Sequence, residues 1–334
     1  MTNRFLYFED YQVSEKGLTT PRSVGGADIT SFACLTGDYS RIHMDRHYAA
    51  GTIYEDRIAH GLLSASLATG MLSLDAPHIV GRGNPRACFY GFEVNYRGAI
   101  KLGDTIKTRW HVTEMAADPH HEGFGEVKTA FQILNQEDVA VYDGGITTKV
   151  GMKELPEDRN LQLKPGNPWA FTEFTPDTER LCYAEDYTPD GQAGETEGRT
   201  VTETDIVNFA GLTGDYNPQH VDAEFAGQSI FGERTAHGML GFSIAFACWL
   251  RDWLQKLNRF PGPESDIAGH LNDRMCFLAP VKIGDTIRCR YKTLSARASK
   301  SRSEFGLVTF GLQVINQRNE VVQEGSVVMM MPSS

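Results

Sequence analysis

A long block of this chain occurs twice, and that repeat limits the possible folds more than any other feature of the sequence. Residues 28–68 align without a gap on residues 205–245, and about half of the aligned pairs are identical. Shorter matches flank the block on both sides: Tyr7 with Tyr183, residues 9–11 with 185–187, and residues 103–106 with 284–287. The alignment predicts two copies of one domain.

The repeat also sets the predicted domain boundaries in the 334-residue chain, which is long enough for two domains with a core each. We assign residues 1–150 to an N-terminal domain and residues 179–334 to a C-terminal domain. Between them, residues 151–178 contain four prolines and no periodic pattern, which is typical of an extended linker.

Each copy shows the same order of predicted helices. A short helix begins at Asp28 or Asp205, taken as the N-cap residue, and ends near Gly37 or Gly214. A non-helical loop follows, and then comes a helix that is apolar on nearly every side: LLSASLATGMLSL in the first copy and MLGFSIAFACWL in the second. Such a helix must be buried on all faces, yet it is too short to span a bilayer.

The rest of each copy alternates apolar and polar residues, which predicts β-strands. The predicted strands are residues 88–96, 104–114, 124–135 and 139–150 in the first copy and 269–278, 285–295, 305–316 and 320–331 in the second. We therefore expect an α+β fold in which an antiparallel sheet wraps around one apolar helix in each copy. The two sheets are expected to pack side by side as an intramolecular pseudo-dimer.

Charge and cysteine content exclude several classes of protein. The chain has 43 acidic residues against 32 Lys and Arg, and the net charge of −11 argues against a nucleic acid or an anionic membrane as a partner. No apolar run reaches the length of a membrane span, and the N-terminus lacks the apolar core of a signal peptide. The six cysteines form no C-x-x-C pair, so we expect free thiols in a reducing, cytoplasmic compartment and no metal site.

The repeat carries two side chains with chemical potential, an Asp and a His five residues apart. They are Asp38 and His43 in the first copy and Asp215 and His220 in the second. On a continuous helix the two side chains would point about 140° apart, so we expect a loop that lets both reach one water molecule. A carboxylate beside an imidazole fixes its tautomer and raises its proton affinity, which places an acid and a base near one small substrate.

A His-Gly pair precedes the apolar helix in both copies, at His60-Gly61 and His237-Gly238. The free N–H groups and the positive dipole end of a helix start suit a developing oxyanion, and glycine lets a carbonyl approach closely. Structural roles also fit these residues: an Asx-turn with a core histidine, and a helix-entry turn. Because duplication copies structural residues as faithfully as catalytic ones, both interpretations stay open.

The strings T-G-D-Y-[SN]-x-x-H-x-D and R-x-A-H-G-[LM]-L occur in both copies. They resemble the MaoC-like hydratase/dehydratase motif of the hotdog superfamily, to which the (R)-specific enoyl-CoA hydratases belong. The resemblance covers most of both copies and implies a double hotdog fold. It also implies reversible addition of water across a trans-2-enoyl thioester, giving an (R)-3-hydroxyacyl thioester, with no cofactor other than CoA as part of the substrate.

The functional residues of that family align with eight positions in this chain. In the second copy the resemblance implies that Asp215 and His220 hold and activate the water, that Asn217 orients the site, and that the N–H of Gly238 binds the thioester oxygen. The equivalent residues of the first copy are Asp38, His43, Ser40 and Gly61.

The first copy departs from the family's pattern, because Ser40 and Arg41 stand where the second copy has Asn217 and Pro218. One working site or two are both allowed. We favour the second copy because its motif is complete.

Two other functions stay open. A thioesterase of this superfamily needs a carboxylate that acts on C1, and the Asp-His spacing favours hydration instead. A non-catalytic module that binds acyl-CoA or an acyl carrier protein is less consistent with an Asp and a His in both copies. The acyl chain, the choice of CoA or carrier protein and a further homodimer are left open. Candidate contacts for the CoA phosphates are Arg86, Arg97, Lys101, Arg274 and Lys282.

Overall fold

The computed structural model describes residues 5–154, 161, 163–169, 183–256 and 269–334, and within them both copies show the same run of helices. The helices of the first copy are α1 (Gly26–Thr36), α2 (Arg41–Met44), α3 (Arg46–Ala50) and α4 (Gly61–Asp75), and those of the second are α5 (Glu203–Thr213), α6 (Pro218–Val221), α7 (Ala223–Gly227) and α8 (Gly238–Lys256). The long helices α4 and α8 are the two predicted apolar helices.

The strands of the described residues follow the same duplication. They are β1 (Lys16–Leu18), β2 (Arg22–Ser23), β3 (Ala87–Tyr96), β4 (Thr105–Ala117), β5 (Phe124–Leu134) and β6 (Ala140–Gly151), then β7 (Ala193–Glu195), β8 (Arg199–Thr200), β9 (Gly269–Phe277), β10 (Thr286–Ala298), β11 (Phe305–Ile315) and β12 (Val321–Pro332). The eight long strands agree with the predicted ones to within three residues at each end. The expected α+β class is confirmed.

All these strands belong to one antiparallel sheet in the order β1-β4-β5-β6-β3-β9-β12-β11-β10-β7, with β2 also paired to β4 and β8 to β10. The two copies are joined edge to edge by β3 and β9, where Gly91 lies opposite Cys276 and Asn95 opposite Asn272. The predicted intramolecular pseudo-dimer is therefore a continuous hydrogen-bonded sheet, in which each copy covers the edge of the other.

Two arginines at equivalent positions add reciprocal contacts between the copies. Arg22 of the first copy donates to the backbone carbonyl of Leu212 at 2.7 Å. Arg199 of the second copy donates in the same way to the carbonyl of Leu35. Each carbonyl lies near the end of a helix, where the backbone has no intrahelical partner, so the arginines satisfy groups that helix ends leave open.

The long helices lie in the core. Every residue of α4 from Leu62 to Ser73 is buried. In α8, Phe246, Trp249 and Trp253 are all at most 5% exposed, and the two indole rings stack with their centroids 5.5 Å apart. None of the helices in the described residues is long and apolar enough to cross a membrane.

The predicted N-caps at Asp28 and Asp205 are wrong by three residues. Helix α1 begins after Gly25 and α5 begins after Thr202. The two Asp carboxylates accept hydrogen bonds from the backbone N–H of these cap residues, at 2.7 and 2.8 Å. Each Asp is therefore the third helical residue, which completes a capping interaction from inside the helix.

The segment between the short and long helices is only partly a loop. Gly37 and Gly214 end helices α1 and α5 in the left-handed conformation, with φ of 90° and 85°, and the Asp after each lies in a loop as predicted. His43 and His220, however, lie on the one-turn helices α2 and α6, and Pro218 is the first residue of α6. Proline fits there because its missing N–H has no partner in the first turn of a helix.

The predicted linker, residues 151–178, falls partly outside the described residues, which omit 155–160, 162 and 170–182. In its described part, Gly166 forms an isolated β-bridge with Val321, and the backbone N–H of Trp169 donates to the side chain of Gln313 at 2.9 Å. This part of the linker therefore packs on the sheet of the second copy. The boundaries of the two domains stay predictions.

Candidate active site

Three side chains meet in each copy. They are Asp38, His43 and His60 in the first copy and Asp215, His220 and His237 in the second. In each group, one oxygen or nitrogen atom of every side chain lies within 4.8 Å of the others. One water molecule can span that distance with two hydrogen bonds of about 2.8 Å. The same spacing also suits a metal ion, so the expectation of no metal stays a prediction.

Backbone carbonyls fix the tautomer of the histidine on each one-turn helix. Nδ1 of His220 lies 2.8 Å from the carbonyl oxygen of Thr235, so Nδ1 carries the hydrogen. Nε2 is therefore left with a lone pair that can accept a proton. His43 makes the equivalent contact with the carbonyl of Ile58 at 2.9 Å.

The histidine before each long helix has the opposite tautomer. Nε2 of His237 donates to the backbone carbonyl of Asp215 at 2.9 Å, and His60 donates to that of Asp38 at 3.0 Å. In both residues Nδ1 is buried and has no hydrogen-bond partner among the described residues. The ring of His60 packs on that of His43, the first histidine of its group, and the ring of His237 packs on that of His220; the centroids in each pair are 3.9 Å apart. The histidine of the His-Gly pair recurs as faithfully as the glycine, but only the glycine is among the predicted site residues.

Burial keeps the imidazoles neutral near pH 7. Desolvation lowers the pKa of His43 and of His237 to about 3, although the neighbouring Asp acts in the opposite direction. Desolvation also lowers the pKa of His60 and of His220. A neutral imidazole can take a proton from water, so the first histidine of each group is in the form that a general base requires.

The two Asp carboxylates are held by different donors. The hydroxyl of Ser40 donates to Oδ1 of Asp38 at 2.5 Å, within one copy. Burial acts to raise the pKa of Asp38, but the two neighbouring histidines and Ser40 outweigh it and lower this pKa. Oδ1 of Asp215 instead accepts from Ser73 at 2.6 Å, and Ser73 belongs to α4 of the first copy. Ser73 is absent from the predicted site, because it is one of four hydroxyl residues in α4 and nothing in the sequence distinguishes it from the others.

Asn217, predicted to orient the site, caps helix α6 and contacts the first copy. Its side-chain oxygen accepts hydrogen bonds from the backbone N–H groups of Gln219 and Gly83, both at 3.3 Å. Ser40, at the equivalent position, makes no such capping bond to α2. The structure therefore gives Asn217 the task of positioning the short helix that carries His220.

Gly61 and Gly238 are the first residues of α4 and α8, as predicted. An added Cβ would lie only 2.8 Å from the ring of Tyr96 in the first copy and 2.9 Å from the ring of Phe277 in the second. Packing against these rings explains the missing side chain, a reason that the sequence analysis did not identify. The described residues offer no backbone acceptor to either glycine N–H. The role of these groups as oxyanion donors stays a prediction.

A cavity opens beside the second site, with an empty volume of about 790 Å³ including its mouth. Its wall contains Asp215, His220 and His237 together with Thr69 and Phe89 from the first copy. A largely apolar wall with a few convergent polar groups is typical of a small-molecule site. The second site therefore depends on side chains from both copies.

Around the first site two of the corresponding positions carry larger side chains. An aromatic cluster lies there, formed by Tyr96, Tyr142, Phe246 and His270, with neighbouring ring centroids 4.6 to 4.9 Å apart. Phe246 and Tyr142 stand where the second site has Thr69 and Gln323. Because Phe246 and Tyr142 are larger than Thr69 and Gln323, the cluster fills space beside the first site that the second site leaves free.

A buried carboxyl group holds two rings of the aromatic cluster in place. The hydroxyl of Tyr96 lies 2.5 Å from one oxygen of Asp273, and Nε2 of His270 lies 2.6 Å from the other. Asp273 is fully buried, so losing these bonds would leave a polar group unpaired in the core. The cluster is thus a hydrogen-bonded part of the core.

Two of the five basic residues considered for CoA phosphates lie beside the sites. Lys101 and Lys282 form isolated β-bridges with Ile58 and Thr235, whose carbonyls hold the first histidine of each group. Lys282 also forms an ion pair with Glu233 at 2.5 Å. In the described part of the chain, no hydrogen bond or ion pair joins the Asp-His-His groups to Arg86, Arg97 or Arg274.

Comparison with known proteins finds the same domain twice. A profile of the MaoC-like domain matches residues 10–130 and 186–314. An (R)-specific enoyl-CoA hydratase of Rhodospirillum rubrum is 35% identical over 153 residues, which cover 46% of this chain and 94% of the relative. A 3-hydroxybutyryl-CoA dehydratase of Methylorubrum extorquens is 31% identical over 165 residues, which cover 49% of this chain and 96% of the relative.

A solved structure shows the complete architecture. A conserved protein of Mycobacterium tuberculosis, described as having a double hotdog fold, aligns with a TM-score of 0.69 and 17% identity, over 97% of this chain and 98% of that protein. At this identity the likeness shows the fold alone. The expected double hotdog fold is confirmed.

Proposed function

This chain belongs to the MaoC-like hydratase/dehydratase family, and we propose that it catalyses the reversible hydration of a trans-2-enoyl-CoA to an (R)-3-hydroxyacyl-CoA at the site of the second copy. The observation that carries this proposal is the pairing of Asp215 with the neutral His220, within 4.8 Å of each other, in the wall of a cavity. The names of the two relatives support a hydro-lyase, while the acyl chain and the residue roles belong to the proposal.

The proposed reaction uses one water molecule held between the carboxylate of Asp215 and Nε2 of His220. His220 takes one proton as the water oxygen bonds to C3 of the enoyl group, and it returns that proton to C2. All atoms of the water enter the product on one face of the double bond, and His220 ends neutral. The N–H of Gly238 donates to the thioester oxygen, on which negative charge develops during the addition.

The surroundings of the two sites support one working site. The first copy has Asp38, His43, Ser40 and Gly61 at the equivalent positions, but the aromatic cluster fills the space beside them. At the second site the equivalent space belongs to a cavity. We therefore assign the chemistry to the second copy and a structural role to the first.

The substrate brings CoA with it, and the proposal requires no other cofactor. Of the five basic residues considered, Lys282 lies beside the second site, and we assign it to a CoA phosphate. The choice between CoA and an acyl carrier protein and the presence of a further homodimer stay open, and the cytoplasmic location stays a prediction.

The loss of enoyl-thioester absorbance tests the proposal, with crotonyl-CoA and longer trans-2-enoyl-CoAs as substrates. We expect activity in the wild type, loss in Asp215→Asn and retention in Asp38→Asn. Partial loss in each variant, with full loss in the double variant, would mean two working sites. Release of free thiol would identify a thioesterase, and binding of the thioesters without turnover would identify a binding module.

A further inference from the structure

Gln323 places a polar side chain in the wall of the cavity at the second site. It is only 2% exposed, and its Nε2 donates to the backbone carbonyl of Gly238 at 3.1 Å. Because a carbonyl oxygen can only accept, this bond fixes which end of the amide faces Gly238. The other end, Oε1, is buried and has no hydrogen-bond partner among the described residues.

The first copy shows that an unpaired group at this position is not a property of the fold. Tyr142 occupies the position of Gln323; burial raises the pKa of its hydroxyl, and the nearby hydroxyl of Ser64 in helix α4 acts in the opposite direction. The second copy has Gly241 where the first has Ser64. A Cβ at Gly241 would lie 2.7 Å from Nε2 of Gln323. Glycine therefore makes room for the amide and removes the hydroxyl that would pair with it.

Neighbouring polar groups of the wall do not supply the missing donor. The hydroxyl hydrogen of Thr69 is already used, because Oγ1 donates to the carbonyl of Ser66 at 2.9 Å. A buried acceptor without a donor lowers the stability of a protein, so such groups are uncommon unless a ligand or a water molecule pairs with them.

We propose that Gln323 is a specificity-determining residue whose Oε1 accepts a hydrogen bond from a hydroxyl group on the acyl chain. The site then prefers hydroxylated enoyl thioesters to aliphatic ones of the same size. The proposal rests on the proposed hydration at the second site and deepens it by naming the class of substrate. A site built to bond a hydroxyl rejects the analogue without it, because the buried acceptor stays unpaired in that complex.

Matched substrate pairs test the proposal. The first pair is 4-hydroxycrotonyl-CoA and trans-2-pentenoyl-CoA, in which a methyl group replaces the hydroxyl. The second is 5-hydroxy-2-pentenoyl-CoA and trans-2-hexenoyl-CoA, one carbon longer. In at least one pair we expect kcat/KM to be roughly tenfold higher for the hydroxylated substrate. Gln323→Met should bring that ratio to about one, mainly through the KM of the hydroxylated substrate.

Tyr142→Phe is the matched control, because it removes the polar group at the equivalent position of the first copy. It should keep the wild-type ratio. Each ratio compares two substrates on one preparation, so a partly folded variant does not distort it. A wild-type ratio of one in both pairs, or an unchanged ratio in Gln323→Met, would overturn the inference while the hydratase function stands.

A binding measurement separates failure of the inference from failure of the proposed function. If no enoyl thioester is hydrated, calorimetry with 4-hydroxybutyryl-CoA and pentanoyl-CoA still compares a hydroxyl with a methyl group. Roughly tenfold tighter binding of the hydroxylated ligand, lost in Gln323→Met, would support the inference for a binding site. Equal affinities would overturn it.

Discussion

The two sites contain the same Asp, His and His-Gly groups, but their surroundings differ. Ser73 reaches across from the other copy to hold the carboxylate of the second site, whereas Ser40 holds that of the first from within its own copy. The wall of the second site has Thr69 and Gln323 where the first has two aromatic rings. The presence of the Asp, His and His-Gly groups is therefore a weaker indication of a working site than the space beside them.

The largest expected effect comes from replacing the first histidine of each group, His220 or His43, which compares the activity of the two sites directly. We expect His220→Gln to lower kcat/KM by roughly 10²- to 10⁴-fold, because the group that takes the proton from water is lost. His43→Gln should leave it unchanged. Absorbance assays of both variants measure the difference, and similar losses in the two would show that the first site also works.

Exchanging the residues that line the two sites tests the role of space. Thr69→Phe places in the second site the ring that Phe246 gives the first, and we expect kcat/KM to fall by about 100-fold as the substrate is displaced. The matched variant Phe246→Thr should keep the activity but lower the free energy of unfolding by about 3 kcal/mol, measured by urea denaturation. A fully active Thr69→Phe enzyme would show that the space beside the second site is not what makes it the working site.

Acid should destabilise both copies, because each holds a buried, neutral histidine before its long helix. Unfolded histidine takes up a proton near pH 6.5, whereas folded His237 does so only near pH 3. In that window the unfolded state binds more protons, so stability falls as the pH falls, by up to about 1.4 kcal/mol per pH unit for His237. Urea denaturation between pH 6.5 and 5 measures this slope.

The variants His237→Gln and His60→Gln should each flatten the pH slope, since the pKa of His60 is also lowered by burial. This prediction concerns stability alone, and the expected change has the same sign in both copies, whereas the expected changes in activity differ between them. An unchanged slope in His237→Gln would mean that this histidine is protonated in the folded protein.

The serine that holds each carboxylate gives the smallest expected effect. Ser73→Ala removes the donor 2.6 Å from Asp215, and we expect kcat/KM to fall about tenfold because the carboxylate is no longer held toward the water. Ser40→Ala, the matched variant at the first site, should have no effect on activity. Steady-state assays measure kcat/KM of both variants. Equal values would show that the bond from Ser73 to Asp215 does not contribute to catalysis.

The elements were predictable from sequence because their signals are local and occur twice. Alternation marked the strands, and the left-handed glycines Gly37 and Gly214 marked the ends of two helices. The N-caps were predicted wrongly because Asp is favoured both as the N-cap residue and at the third helical position. The cap before Asp28 is Gly25, which has no side chain that could indicate its role.

Two contacts of the second site that sequence could not predict come from the other copy. Ser73 lies 142 residues before Asp215, and Gly83 lies 134 residues before Asn217. No periodicity relates such residues, because their contact depends on how the two copies dock. The size of the cavity has the same origin, since Thr69 and Phe246 differ at one repeat position and each faces the other copy's site.

The pairing of β3 with β9 makes the two copies equivalent to the two subunits of a symmetric dimer. In a dimer of identical chains, one codon encodes both members of each pair of positions, so a mutation that fills one site fills the other. Here positions 69 and 246 have separate codons within one gene. Because the two copies are joined in one chain, a phenylalanine at position 246 can improve packing beside the first site while the second site stays open. In a dimer of identical chains, the same residue would fill both sites.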